Sequence, residues 1–257
     1  MTLWKCRNCG LPYPETGVPH RCPRCGDIFD RAEPLRYHTQ GIAEGLPGLW
    51  RYAPLWGWAT QVPPLSLGEG QTPLVWTEAF DRRVALKLEY LNPTGSHKDR
   101  GTAPLVALLK ARGVTEVVED SSGNAGASLA AYAARAGIRA RIFVPATASG
   151  PKRAQIAAYG AEVIPVAGPR SAAAEAAQRA AEEGAVYASH AYLPFGLDGF
   201  ATLAWELAEQ MKDPPGTIVA PVGQGSLLLG VARGAEALVR AGRWPQNSGP
   251  LSRRPMK

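Results

Sequence analysis

TEVVEDSSGNAGASLAAYAARAGIRARIFVP, residues Thr115 to Pro145, sets the architecture. TEVVED (115–120) is a short valine-bearing apolar run, the pattern of a buried strand. Ser-Ser-Gly-Asn breaks it, and the small-residue segment from about Asn124 to Ala136 reads as a helix. RARIFVP (139–145) is a second strand. Strand, glycine turn, helix, strand at this spacing is a parallel βαβ unit. The rhythm runs in both directions. VALKLEY (84–90) is a strand leading to a helix over about Lys98–Arg112. Downstream come a helix through 151–159, AEVIPV (161–166) with a helix through 170–183, and AVYAS (185–189) with a helix over about Gly196–Met211. TIVAPV (217–222) closes the series, with a helix over about Ser226–Ala241. Six such units predict an α/β fold with helices on both faces of a parallel sheet. In that fold class ligands bind at the carboxyl ends of the strands.

Two zones precede this regular part. Residues 1 to about 32 carry all the cysteines, and residues 33 to about 80 are rich in Pro, Gly and Trp with little periodicity. Beyond the βα rhythm there is no internal repeat, and alanine-rich stretches such as SAAAEAAQRAA are simply good helix formers. The chain has 257 residues, 46% apolar and 19% charged, the composition of a globular protein able to bury one large core or two smaller ones. Net charge is +6, from 28 basic and 22 acidic residues. The only tight basic cluster is Arg253–Arg254, so a nucleic-acid partner is not expected. No run of 18 apolar residues predicts a membrane span, and MTLWKCRNCG lacks the apolar core of a signal peptide. The expected location is the cytoplasm.

CRNCG (Cys6, Cys9) and CPRCG (Cys22, Cys25) form two pairs with metal-ligand spacing. The glycine after each second cysteine frees the backbone for the tight turn that aims amides at thiolate sulfur. Four thiolates suit tetrahedral Zn2+ in a closed structural site, which leaves no ligand position for nearby His20. Two reduced, unliganded pairs are the alternative.

NPTGSHKDRG (92–101) places Lys98 at the mouth of a helix. The helix dipole and burial there both lower a lysine's pKa, and a neutral amine is what Schiff-base chemistry requires. Ser96 or Thr94 would cap the helix, and Asp99 would offset the dipole. Against this, KDR also reads as a solvated charge run. SSGN (121–124) makes a nest of backbone N–H groups suited to a carboxylate or phosphate, and Asn124 adds an amide able to bond a phenolic oxygen. A capped turn with no ligand fits it equally. APVGQGSLLLG (220–230) is again strand, glycine turn and helix, with Gly223 and Gly225 admitting close approach by a phosphate. It is neither a Walker loop nor a GxGxxG fingerprint.

Together GEGQTPL (68–74), LNPTGSHKDRG (91–101), SSGNAGAS (121–128) and PVGQGSLLLG (221–230) stand in an order that resembles the fold-type II pyridoxal-phosphate enzymes, of the tryptophan synthase β-like family. The cysteine pairs and LWRYAPL (49–55) resemble the threonine synthase branch most closely. The resemblance implies a pyridoxal 5'-phosphate cofactor held as a Schiff base on Lys98, with Lys98 also moving protons at the substrate. It implies that Asn124 bonds the ring hydroxyl and that Gly223, Gln224, Gly225, Ser226 and Leu227 hold the phosphate. Ser121, Ser122, Gly123 and Thr94 would lie near the carboxylate of a small amino-acid substrate. The implied reaction is that of a carbon–oxygen lyase, O-phospho-L-homoserine and water giving L-threonine and phosphate. A homodimer is implied as well.

The implied architecture is two open three-layer parallel-sheet domains behind a zinc ribbon. The ribbon would span 1–32, a large cofactor domain 33–119 with 190–257, and a small α/β domain 120–189. Three departures stand out. His97 occupies a position where the branch usually has Phe. GQGSL (223–227) is nearer the serine/threonine ammonia-lyase pattern, which keeps such a lyase as the alternative. The regular pattern stops near Ala241, and GRWPQNSGPLSRRPMK trails off, which reads as a truncation of the large domain. No residue can then be assigned to the pyridine nitrogen. A catalytically weak cofactor-binding protein and a zinc-ribbon interaction module are the readings from other classes.

Overall fold

The computed structural model describes residues 3–148 and 150–245. Everything from Gln246 onward, most of the tail just discussed, lies outside the described residues. The centre of the fold is a four-stranded parallel sheet in the order β7-β6-β5-β8. Its strands are β5 (Glu116–Glu119), β6 (Arg139–Pro145), β7 (Glu162–Val166) and β8 (Val186–Tyr187). Side chains alternate across it. Val117, Ile142 and Val144 join the main core together with α2 (Asn124–Ala136). Val118, Phe143 and Tyr187 face the other way, against Ala173, Ala177 and Ala180 of α4 (Arg170–Glu182). Burial on both faces is why these strands read as plain apolar runs. The sheet takes in β5, four residues ahead of the segment expected for the smaller unit.

The expected helices form, with shifted ends. They are α1 (Lys98–Ala111), α2, α3 (Gly150–Ala158), α4, α5 (Leu197–Gln210) and α6 (Ser226–Arg240). Two expected strands do not enter a parallel sheet. VALKLEY contributes to β4 (Arg82–Lys87), which pairs antiparallel with β3 (Leu74–Ala79) in register Leu74↔Lys87. The hairpin turns on Phe80 and Asp81, both at positive φ without a glycine. The segment TIVAPV makes no strand pairing among the described residues. Ile218 and Ala220 pack against the core while Val219 is 91% exposed. The alternation was read correctly there. A strand also needs a neighbour, and the described residues provide none. The second parallel-sheet domain expected from the sequence is therefore absent among the described residues, and one parallel sheet carries the α/β core.

The cysteine-bearing segment is tied down firmly. β1 (Trp4–Cys6) and β2 (Phe29–Arg31) pair antiparallel. Phe195 packs edge-on against Trp4 and Tyr13 at 4.8 and 5.1 Å. Arg31 bridges to buried Asp198 at 2.6 Å, and Asp198 also accepts from the Trp58 indole at 2.9 Å. Arg233 of α6 grips Asp30 with two bonds, at 2.8 and 2.7 Å. No described helix is long and apolar enough to cross a membrane.

Candidate active site and metal centre

Lys98 is the first residue of α1, with His97 at the cap. Ser96 accepts the Lys98 amide at 3.3 Å, whereas Thr94 caps nothing. Its amide and hydroxyl both donate to Asp99, at 2.7 and 2.6 Å, so Thr94 is buried with its hydroxyl already committed. The solvated-run reading of KDR fails. Asp99 and Arg100 are fully buried, and Arg100 fans out to Glu89, Glu206, Thr72 and Thr202. That network locks α1 to α5 and leaves Lys98 alone at the mouth. Its amine makes no hydrogen bond or ion pair among the described residues. Burial holds it below the ordinary lysine range, and the charge of Glu119 works in the opposite direction.

Glu119 was not singled out from sequence. It ends β5, is buried, and accepts the Ser121 amide at 3.0 Å. Burial first, then neighbouring Asp120, pushes its carboxyl up to about 8. Asp120 is held by Tyr187 at 2.6 Å and Arg170 at 3.0 Å. His190 was missed too. Burial, then the charge of Lys98, takes it down to about 3, and the same causes bring His97 to about 4. A lone glutamate at a strand end or a histidine in a loop carries no local pattern that would have pointed to it.

Ser121, Ser122, Gly123 and Asn124 form the turn from β5 into α2. Ser128 of α2 donates to Asp99 of α1 at 2.6 Å, so this turn and Lys98 are joined through one carboxylate. Gly126 is required: a Cβ there would lie 2.0 Å from the Ser121 carbonyl. The nest is partly filled from within, since Glu119 takes the Ser121 amide and the Ser121 hydroxyl takes that of Gly123 at 3.3 Å. Asn124 is exposed, and its side-chain amide makes no hydrogen bond among the described residues.

Gly223, Gln224 and Gly225 lead into α6, with Ser226 and Leu227 buried in its first turn. Gly225 sits at φ +100, and nothing lies within 4 Å of a Cβ built at either glycine. The first backbone bond of the helix is Leu229 N–H to the Gly225 carbonyl at 2.9 Å, so the amides ahead of it have no backbone acceptor among the described residues. Among the described residues no hydrogen bond joins this turn to Lys98. The link is Phe200, whose ring fills the space beside Gly101 of α1 and whose Cβ fills the space beside Gly230 of α6. A half-buried amine and an exposed side-chain amide, both unpartnered among the described residues, with an open glycine cradle at a helix N-terminus, fit a phosphate-bearing aldehyde cofactor.

At the ribbon, the four sulfurs of Cys6, Cys9, Cys22 and Cys25 lie within 4.8 Å of one another. Cys6–Cys25 and Cys9–Cys22 are 3.4 and 3.6 Å apart. A tetrahedron of thiolates about one Zn2+ has edges of ~3.8 Å. Gly10 and Gly26 take φ +69 and +76 at the two knuckles. The Asp27 amide draws the Cys25 thiol down to about 7, toward the thiolate a metal takes.

Comparison with known proteins agrees with this geometry. The family model for "Pyridoxal-phosphate dependent enzyme" matches residues 65–249. Threonine synthase of Methanosarcina acetivorans is 30% identical over 241 residues, 90% of this chain and 59% of that protein. Threonine synthase of Methanocaldococcus jannaschii is 32% identical over 249 residues, 90% of this chain and 60% of the relative. Among solved structures, maize serine racemase superposes with a TM-score of 0.60 at 29% identity, over 65% of this chain and 52% of that one. Cysteine synthase from Entamoeba histolytica gives 0.61 at 29%, over 67% and 55%. The chain thus spans about three fifths of the length of the first two relatives.

Proposed function

The chain belongs to the family of pyridoxal-phosphate-dependent enzymes, and from that premise we propose that it is a threonine synthase-like lyase, taking O-phospho-L-homoserine and water to L-threonine and phosphate. The observation that carries the reading is the Lys98 amine, half-buried at the start of α1, unpartnered among the described residues, and close enough to Glu119, His97 and His190 for charge to act between them. The named relatives supply the substrate class. The bound cofactor supplies an electron sink for carbanion chemistry.

The chain's own residues take these roles. Lys98 would bind the cofactor through Nζ, and the same nitrogen, once released, would take a proton from the substrate carbon and return it; burial, which lowers its pKa, favours the neutral form a base needs. Gly223, Gln224, Gly225, Ser226 and Leu227 hold the phosphate with the amides at the start of α6. The Asn124 amide meets the ring hydroxyl. Ser122 and Asn124 keep the open amides of the nest for the substrate carboxylate, with Ser121 and Gly123 shaping the turn. Thr94 contributes through its place beside Asp99 and not by its hydroxyl.

We further propose that Cys6, Cys9, Cys22 and Cys25 hold one structural Zn2+, which supports the ribbon against α5 and α6. Closure of a smaller unit (120–189) over the substrate, a homodimeric state and the cytoplasm as location belong to the same reading. Four clustered thiols accord with a reducing compartment.

The test is visible absorbance of the purified chain with pyridoxal 5'-phosphate, before and after borohydride, beside Lys98→Ala. A cofactor band fixed by borohydride onto the Lys98 peptide, and absent from the variant, is the expected outcome. Phosphate and threonine released from O-phospho-L-homoserine complete it. Keto acid and ammonia from serine or threonine would replace this reading with an ammonia-lyase.

A further inference from the structure

We propose that His190 is a positioning residue for Lys98, acting through the hydroxyl of Thr102. The proposal rests on Lys98 being the cofactor lysine. His190 follows β8, 88 residues from Thr102 in sequence, and its Nε2 lies 3.2 Å from Thr102 Oγ1. Thr102 sits one helical turn after Lys98, and its hydroxyl donates to the Lys98 carbonyl at 3.0 Å.

The direction of these bonds follows from proton counting. A hydroxyl has one proton, and the Lys98 carbonyl can only accept it. The lone pair of Thr102 must then accept from His190, which places the imidazole proton on Nε2 and leaves Nδ1 bare. No hydrogen bond to Nδ1 is present among the described residues. Back-bonding from a threonine to the carbonyl four residues earlier is one of two rotamer choices open to it in a helix. His190 selects that choice and so fixes the first turn, where Lys98 begins.

The ring itself is held. His190 and His97 both pack on Phe200, each 6.1 Å between centroids and tilted by 53° and 52°. Phe200 is buried and hemmed in by Gly101 and Gly230, where added Cβ atoms would fall 2.4 and 2.3 Å from it. Two imidazoles whose pKa values are held down by burial thus pack on one hemmed-in ring, both near enough to Lys98 to feel its charge. The charged groups around this turn are few. Asp99 and Arg100 on α1 are committed to Thr94, Ser128, Glu89 and Glu206, Glu89 being the anion that His97 also faces. Glu119 approaches from β5. With His190 in place the Lys98 stem stays in its half-buried position; without it, more water reaches the amine.

Competitive labelling with trace acetic anhydride reads this on the chain without cofactor. Lys98 is followed by mass spectrometry across a pH series, against exposed Lys5 and Lys110. His190→Ala should raise the amine's titration, so that its labelling near neutral pH falls ~tenfold, the equivalent of one pKa unit. Thr102→Val, which keeps shape and removes the relay, should do the same, and the double variant should be no worse than either single one. His190→Gln, whose amide can still donate to Thr102, should restore wild-type labelling. Wild-type labelling in His190→Leu, or additive effects of the two singles, would overturn the proposal. If circular dichroism shows His190→Ala unfolded, Thr102→Val and His190→Gln decide alone: loss in the first with rescue in the second supports the relay, and any other pair of results overturns it. Cofactor uptake is scored separately. Failure to fix pyridoxal phosphate with the labelling pattern intact removes the cofactor reading and leaves His190 in its role; uptake with unchanged labelling does the reverse.

Discussion

Replacing Glu119 by Gln tests the electrostatic arrangement around the candidate lysine. Burial and Asp120 lift this carboxyl from 4.5 to about 8 in the folded protein. The native state thus binds the proton more tightly than the unfolded chain does. The contribution of Glu119 to stability is fully present below pH 4.5 and is lost as pH rises toward 8. At pH 7 the unfolded carboxyl is ionised and the native one is mostly protonated. The difference of 7 − 4.5 pH units, at about 1.4 kcal/mol each, costs on the order of 3 kcal/mol. Glutamine has the same shape, still accepts the Ser121 amide, and carries no charge to suppress. Glu119→Gln should therefore match the parent near pH 4.5 and exceed it by about 3 kcal/mol at pH 7. Urea unfolding of both proteins across that pH range, with equal m-values, measures the difference. A stability difference independent of pH would refute the reasoning, as would a variant less stable at pH 7. Above pH 8, where the native carboxyl is ionised, the same change removes the anion that favours the charged form of Lys98, so the Lys98 amine should label faster there.

Other perturbations probe the scaffold. Gly126→Ala places a methyl 2.0 Å from the Ser121 carbonyl, and should cost about 1–3 kcal/mol in urea and weaken cofactor uptake by displacing the nest. Unchanged uptake would mean that the Ser121–Asn124 turn does not serve the site. Asp198→Ala strands the Arg31 guanidinium, 8% exposed, without its counter-charge; about 3–5 kcal/mol should be lost, with proteolytic cleavage first in the cysteine-bearing segment. Chelation should release one Zn2+ per chain, measured with a metallochromic dye, and lower the melting temperature, with Cys22→Ser showing the same loss. Protein purified under reducing conditions with no bound metal would remove the zinc assignment.

Helices α1, α2, α4 and α6 were legible because a helix announces itself locally, through period, alanine content and the glycine or serine at its mouth. The cysteine knuckles were legible for the same reason, since spacing and the following glycine lie within five residues. The family motifs, each built on one turn, are equally local. Partnership is not. VALKLEY and TIVAPV carry similar alternation, yet the first closes a hairpin with 74–79 and the second has no paired neighbour. Periodicity says which face is apolar and nothing about what lies beside it. The charge run KDR could be solvated or buried on sequence grounds. Glu206, 106 residues away, decided that Arg100 is buried, by supplying the counter-charge that makes burial affordable. Glu119, His190 and Phe200 gather around Lys98 only because β5, the segment after β8 and α5 converge on the start of α1. Local pattern sufficed for most helices and for the cysteine knuckles, and it singled out Lys98 as the candidate. Tertiary packing decided strand pairing, burial of charge and the walls of the site, because each depends on contacts between groups that no local pattern connects.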